Sequence, residues 1–219
     1  MIAPSELIIN PDGSCFHLHL KPEQLADKII MVGDPDRVNT VASYFDTKEC
    51  EVSSREFHTI TGTYKGKRIT TLSHGIGTDN IDIVLNELDA LANIDFASRT
   101  IKPIFRQLTM VRVGTSGGLQ PFVPVGTYVA AGKFNRVRRS SVFLMPAPRK
   151  CATRLYESEL MRQLKWKLSG IQPYVVSADP SLVKQITQDD IIRGSDDCSQ
   201  RLLRSARPQA PACRSPIRN

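Results

Sequence analysis

The sequence is poor in the features that place a protein quickly. No apolar run approaches the roughly 18–20 residues that a membrane span needs. The N-terminus has no basic stretch followed by an apolar block, so no secretory leader is expected. The five cysteines (Cys15, Cys50, Cys151, Cys198, Cys213) are odd in number and follow no metal-ligand spacing. That usage suits a reducing compartment, so a cytoplasmic location is expected. There is no Gly-x-Ser-x-Gly elbow and no Gly-Lys-Ser/Thr phosphate loop, so a covalent nucleophile is not indicated. No internal repeat is visible. What remains is a chain of 219 residues, 41% apolar and 23% charged, long enough for one domain or at most two small ones and able to bury a core.

Acidic residues are outnumbered, 22 to 29, which leaves a net charge of +7. A basic chain is a candidate for binding nucleic acid. The charge, however, is concentrated. Residues 133–153 carry Lys133, Arg136, Arg138, Arg139, Arg149 and Lys150 with no acid, and residues 195–219 carry five arginines against Asp196 and Asp197. These stretches hold +6 and +3, so the rest of the chain is at −2. The tail has no aromatic residue on which a base could stack, which argues against a nucleic-acid partner.

Elsewhere the pattern alternates strands and helices, which defines an α/β class. Lys28 to Gly33 reads as a buried strand, and Asp34-Pro35-Asp36 opens a helix. Thr59 to Tyr64 and Arg68 to Ser73 read as a hairpin around Lys65-Gly66-Lys67. Thr78 or Asp79 is expected to cap a helix whose apolar stripe is Ile81, Val84, Leu85, Leu88 and Leu91. Leu108 to Val113, Val125 to Ala131 and Tyr174 to Val176 read as strands. Glu157 to Leu168 and Ser181 to Ile186 read as helices.

Three glycine-bearing junctions carry the chemistry: Gly33-Asp34-Pro35-Asp36-Arg37, His74-Gly75-Ile76-Gly77, and Arg112-Val113-Gly114-Thr115-Ser116-Gly117-Gly118. Glycines at strand ends leave backbone N–H groups open to an anion, and a following helix adds its positive end. Arginine supplies planar donors suited to phosphate. Singly, each glycine can be a tight turn and each arginine a surface ion pair; together they point to an anion site. Arg55 is a fourth basic candidate. His17 and His19 alternate with apolar residues and on an edge strand would share a face. Without a third ligand at a supporting spacing, packing or a hydrogen bond to a polar ligand is expected there rather than a metal.

Phe16-His17-Leu18, Val32-Gly33-Asp34-Pro35-Asp36-Arg37-Val38, Ser54-Arg55-Glu56-Phe57, His74-Gly75-Ile76-Gly77 and Val111-Arg112-Val113-Gly114-Thr115-Ser116-Gly117 occur in an order that resembles the uridine phosphorylase branch of the nucleoside phosphorylase family. The resemblance covers about residues 14–132 and again about 154–194. It implies a three-layer α/β fold with a mixed central sheet, lacking its C-terminal part. The expected division is an incomplete phosphorylase-like domain over 1–194, with an aberrant insert-like stretch at 133–153, and an aberrant basic tail over 195–219. The implied reaction is cleavage of a ribonucleoside, uridine at the level of the family, by inorganic phosphate to ribose 1-phosphate and free base, as in pyrimidine salvage. By resemblance Gly33, Arg37, Arg112 and Thr115 hold phosphate, with Thr115 also at the ribose. Arg55 reaches a neighbouring subunit's phosphate and His17 its ribose, so a dimer is the minimal unit and a hexamer a family possibility. Glu56 resembles a residue that holds a monovalent cation. No cofactor or metal is implied beyond phosphate as co-substrate, and neither nucleic acid nor membrane is an expected partner.

Two family segments are absent from these 219 residues: the Phe-Tyr-Gly-Pro type base-reading segment and the Glu-Met-Glu segment that reads ribose hydroxyls. The basic stretches explain the first absence as displaced codons. Back-translated and read one nucleotide later, Gly194 to Pro216 permits Gly-Val-Met-Thr-Ala-Ala-Asn-Gly-Phe-Tyr-Gly-Pro and a continuation in family style. Lys133 to about Val142 read one nucleotide later permits Asn-Ser-Ile-Gly-Phe-Asp-Gly-Leu-Leu. Residues from about Leu144 to Thr153 behave similarly two nucleotides later, and the family-like frame returns near Arg154. The expectation is therefore a phosphate half-site with little turnover. The alternatives are an inactive remnant or assembly subunit of the same fold, and a basic nucleic-acid-binding protein.

Overall fold

The structure is a computed structural model that describes residues 1–117, 123–136, 157–158, 161–162, 174–187 and 191–197. The chain divides into two compact units, residues 1–115 and 116–219. Among the described residues no helix is long and apolar enough to cross a membrane.

The first unit is built on a five-stranded mixed sheet in the order β2-β3-β4-β1-β7. Its strands are β1 (Lys28–Val32), β2 (Thr47–Ser54), β3 (Phe57–Tyr64), β4 (Lys67–Ser73) and β7 (Thr109–Val113). A two-stranded ribbon of β5 (Ile94–Asp95) and β6 (Thr100–Ile101) stands beside it in sequence. β1 runs parallel to both neighbours, with Val32 opposite Ser73 of β4 and Val113 of β7. Ile29, Met31 and Val32 are all buried, the near-continuous apolar pattern of a strand covered on both faces.

β3 and β4 form the expected hairpin, antiparallel from Thr59 opposite Leu72 to Tyr64 opposite Lys67. Its turn residues Lys65 and Gly66 both have positive φ, 48° and 72°. A two-residue turn of that hand matches the right-handed twist of the flanking strands. β2 pairs with the other edge of β3. The sequence did not announce β2: Val52 is its one large apolar residue, and most of its positions are exposed.

Helix α1 (Pro35–Ala42) starts as expected. Asp34 accepts a hydrogen bond from the Asp36 N–H at 3.0 Å, and Pro35 sits in the first turn, where its missing N–H costs nothing. α2 (Thr78–Asn93) corrects two expectations. It begins after Gly77, whose φ is 105°, with no side-chain cap, so neither Thr78 nor Asp79 caps it. Its stripe also differs: Leu85 is 40% exposed, whereas Val84, Leu88 and Leu91 pack into the core and Glu87 is buried beside them. The core between α2 and the sheet adds Leu18, Leu20, Leu25, Ile29, Met31, Phe57 and Leu72. Each large side chain buried in this way contributes about 2 kcal/mol.

The second unit contains a three-stranded sheet, β10-β8-β9, made of β8 (Tyr128–Arg136), β9 (Tyr174–Ser177) and β10 (Ile191–Asp197). β10 was not expected, and it runs through position 194, with a shift of register between Gly194 and Ser195. α3 (Pro180–Ile186) is capped by Asp179, which accepts from the Leu182 N–H at 2.9 Å. Glu157, Ser158, Met161 and Arg162 are helical; the remainder of the helix expected at Glu157 to Leu168 lies outside the described residues. The same holds for 137–153 and 198–219, where most of the excess charge lies.

Candidate active site

The register of the first sheet brings the three glycine junctions together. Val32, Ser73 and Val113 are level across β1, β4 and β7, so the chain leaves all three strands at one edge: at Gly33, at His74-Gly75 and at Gly114-Thr115. β1 lies between the other two, and the chain crosses from it to β4 on one side and later to β7 on the other. In open α/β sheets such a switch point opens a crevice at the carboxyl ends of the strands, where ligands bind. The positive end of α1 follows directly from Gly33.

A Cβ placed on Gly33 would lie 3.9 Å from His74 Cε1 and from the Gly75 carbonyl, so the first two loops are close. Gly75 has φ 63°, and a Cβ there would stand 2.8 Å from both Asn80 Nδ2 and Glu56 Cγ. Only glycine fits that position. Gly114 accommodates the Arg112 guanidinium: an added Cβ would lie 2.4 Å from its Nη1.

Arg112 Nε donates to His74 Nε2 at 2.9 Å. This requires a neutral imidazole that carries its proton on Nδ1. His74 is 2% exposed, and its Nδ1 has no hydrogen-bond partner. Burial, and then the Arg112 charge, hold the His74 pKa below the ordinary histidine value. Arg37 lies in the first turn of α1 with an exposed side chain. Thr115 is exposed just beyond Gly114.

His17 and Arg55 occupy a second cluster. Arg55 is at the β2–β3 turn with φ 56°, and its guanidinium lies 5.8 Å from the centre of the Phe16 ring. Phe16 meets His17 edge to face, with centroids 4.8 Å apart. The shared histidine face expected on an edge strand is corrected here. Residues 16–18 form a turn; His19 has φ 53° and is exposed, while His17 turns inward. The cause is Glu87, whose buried carboxylate accepts from the backbone N–H of His17 at 2.9 Å, from that of Leu18 at 2.8 Å, and from His17 Nδ1 at 2.7 Å. These donors compensate the desolvated charge. Burial and this same carboxylate push the Cys15 thiol far up, so Cys15 is a packing residue.

Glu56 accepts from Asn80 Nδ2 at 2.8 Å, beside Gly75. Among the described residues no group of three or more His, Cys, Asp or Glu side chains is arranged to hold a metal ion. The sequence reading did not single out His74 or Glu87 as individual residues. His74 carried a signal, since it stands at a strand end in a glycine loop. Glu87 is an acid at a position level with an apolar stripe, which reads as a solvated face until the fold shows otherwise.

A mixed α/β sheet with arginines and open glycine loops at the carboxyl ends of neighbouring parallel strands is the arrangement of an open α/β fold with its crevice at a switch point. Residues 27–204 match the model of the phosphorylase superfamily, and the chain belongs to that superfamily. It is 32% identical over 175 residues to the uridine phosphorylase of Haemophilus influenzae, covering 75% of this chain and 61% of that one. It is 31% identical over 130 residues to the uridine phosphorylase of Thermococcus kodakarensis, covering 59% of this chain and 42% of that one. A DeoD-type purine nucleoside phosphorylase from Levilactobacillus brevis is 37% identical over 116 residues, with 52% and 44% covered. The chain thus spans about half the length of the curated relatives it matches. Among solved structures, a Trypanosoma brucei nucleoside phosphorylase that shows uridine phosphorylase activity superposes with a TM-score of 0.74 at 28% identity, covering 87% of this chain and 67% of that one. The fold is the α/β nucleoside phosphorylase fold.

Proposed function

We propose that this chain carries the phosphate-binding half of a nucleoside phosphorylase site, and that the reaction it serves is phosphorolysis of a ribonucleoside, with uridine as the substrate. The observation that carries the reading is the convergence of Gly33, His74-Gly75 and Gly114 at one sheet edge, with Arg112 folded over it and Arg37 on the adjoining helix. A phosphate there needs no activated side chain, because it is itself the nucleophile. Its oxygen forms the bond to the sugar C1′, the C1′–N bond breaks, and the electron pair leaves with the base, which takes up a proton. The protein positions the anion and stabilises the cationic sugar between them. Gly33, Arg37, Arg112 and Thr115 are the proposed phosphate ligands, with Thr115 also facing the ribose.

Arg55 and His17 are proposed to act on a second copy of the chain, in at least a dimer. Their shared position around Phe16 supports this, because one docking partner can take both at once. Glu56, beside Gly75, is proposed as a monovalent-cation ligand at that contact. The proposal of uridine is supported by the 175-residue match to the Haemophilus enzyme and by the likeness to the Trypanosoma nucleoside phosphorylase with uridine phosphorylase activity, while purine nucleoside phosphorylases match over 116 to 137 residues.

The base-reading and ribose-carboxylate segments of the family do not occur in these 219 residues. The polypeptide is therefore expected to bind phosphate and to turn over little uridine, since interactions made only in the transition state are lost. Phosphate-dependent release of uracil from uridine, followed by absorbance, tests this. Robust turnover by the 219-residue protein overturns the half-site reading.

A further inference from the structure

We infer that His74 is a positioning residue of the phosphate site, acting through Arg112: in its neutral form it receives the Arg112 Nε–H and fixes the direction in which the rest of the guanidinium can grip an anion. The inference rests on the phosphate-site reading above.

Three observations lead to it. First, the contact is directional. Arg112 has five N–H donors in a rigid plane, and His74 Nε2 takes the one on Nε at 2.9 Å. The two terminal nitrogens remain for a bidentate grip on a planar pair of phosphate oxygens. Second, the contact spans a strand. His74 follows β4 and Arg112 belongs to β7, with β1 between them. The pair therefore closes over the carboxyl end of β1, where the Gly33 loop leads into α1. Third, the His74 ring is held in place. It is 2% exposed, its backbone N–H donates to the Val32 carbonyl at 2.9 Å, and the absent side chain of Gly114 leaves room for the guanidinium.

A freely rotating arginine loses side-chain entropy when it captures an anion. His74 sets the guanidinium plane before phosphate arrives. The cost falls on the folded protein, as a buried Nδ1–H without a partner.

The arrangement also fixes the effect of pH. Protonation of His74 replaces the Nε2 lone pair with a donor, and two cations then face each other. Arg112 from β7 faces the ring, and Glu56 from the β2–β3 turn stands against the adjoining Gly75. Val32 of β1 and Gly33 just after it also lie there, and neither titrates. Protonated His74 is thus expected to release Arg112 and weaken phosphate binding.

The test is titration of the 219-residue protein and two variants with inorganic phosphate, by calorimetry, across pH. His74→Gln keeps an acceptor oxygen for Arg112 and does not titrate. His74→Phe keeps the bulk and removes the acceptor. At neutral pH the glutamine variant is expected to bind within a few-fold of the parent, and the phenylalanine variant at least about tenfold more weakly. The ratio of parent to glutamine affinity is expected to fall as pH drops, because phosphate's own protonation cancels in that ratio. Circular dichroism confirms folding of each variant. If Phe unfolds the chain, the parent-to-glutamine ratio alone decides. Equal affinity of all three proteins at every pH overturns the role of His74 and leaves the phosphate site standing. No phosphate binding by the parent overturns the site and the inference together.

Discussion

Arg112 of β7 and His74 at the end of β4 meet at 2.9 Å across the carboxyl end of β1. The contact couples the loop after β4 to β7, 38 residues away in sequence. It also gives a buried histidine a stake in folding. The His74 pKa is lower in the folded chain than the ordinary histidine value, chiefly through burial.

The sign of the resulting pH dependence follows. Below the ordinary value of about 6.5 the unfolded chain takes up a proton that folded His74 refuses. The contribution of His74 to stability is full above that value and is lost as pH falls toward the folded pKa. Urea denaturation between about pH 7.5 and about pH 5 is expected to show a loss of stability that His74→Gln reduces. The same slope in both proteins contradicts a buried neutral His74.

Gly33→Ala separates ligand from fold. The added Cβ would lie 3.9 Å from its nearest neighbours, an ordinary contact, so stability is expected to change by less than about 0.5 kcal/mol. The methyl would nevertheless stand at the strand end where the anion is proposed to rest. Phosphate affinity is expected to fall, measured by calorimetry alongside thermal denaturation. Unchanged affinity moves the anion away from Gly33.

Arg55 holds φ 56° in a β-turn, a conformation that costs a residue with a Cβ about 1 kcal/mol. Arg55→Gly relieves that cost and is expected to leave the melting temperature equal or higher, although the contact with Phe16 is lost. Its phosphate affinity is expected to drop only where the chain self-associates, because the arginine is proposed to serve a second copy. Sedimentation and phosphate titration at two protein concentrations check this. An affinity loss in the monomer places Arg55 in its own chain's site.

The displaced-codon reading makes a prediction about nucleotides. Codons for residues 194–216, read one position later, are expected to begin Gly-Val-Met-Thr-Ala-Ala-Asn-Gly-Phe-Tyr-Gly-Pro and to continue in family style. Resequencing the gene decides it. Codons that cannot encode that peptide leave the basic tail a genuine feature of the chain.

The parts of the fold legible in the sequence are those where pattern and burial coincide. β1 was readable because Ile29, Met31 and Val32 are buried on both sides, and α1 because Asp34 and Pro35 mark its start. β2 was not, because a strand that is mostly exposed shows little alternation. The turn at residues 16–18 reads as a strand from its alternation; the carboxylate that bends it comes from Glu87, 70 residues away. The glycine junctions were visible one by one, while their convergence depends on strand order, which no local pattern carries. His74 becomes meaningful only once β4 and β7 are seen to flank β1.

The most direct test is a titration of the 219-residue protein with inorganic phosphate, repeated with Arg112→Ala. Saturable binding that the substitution weakens by at least about tenfold is expected. No binding by the parent protein, or equal binding by the variant, contradicts a phosphate site at the ends of β1, β4 and β7.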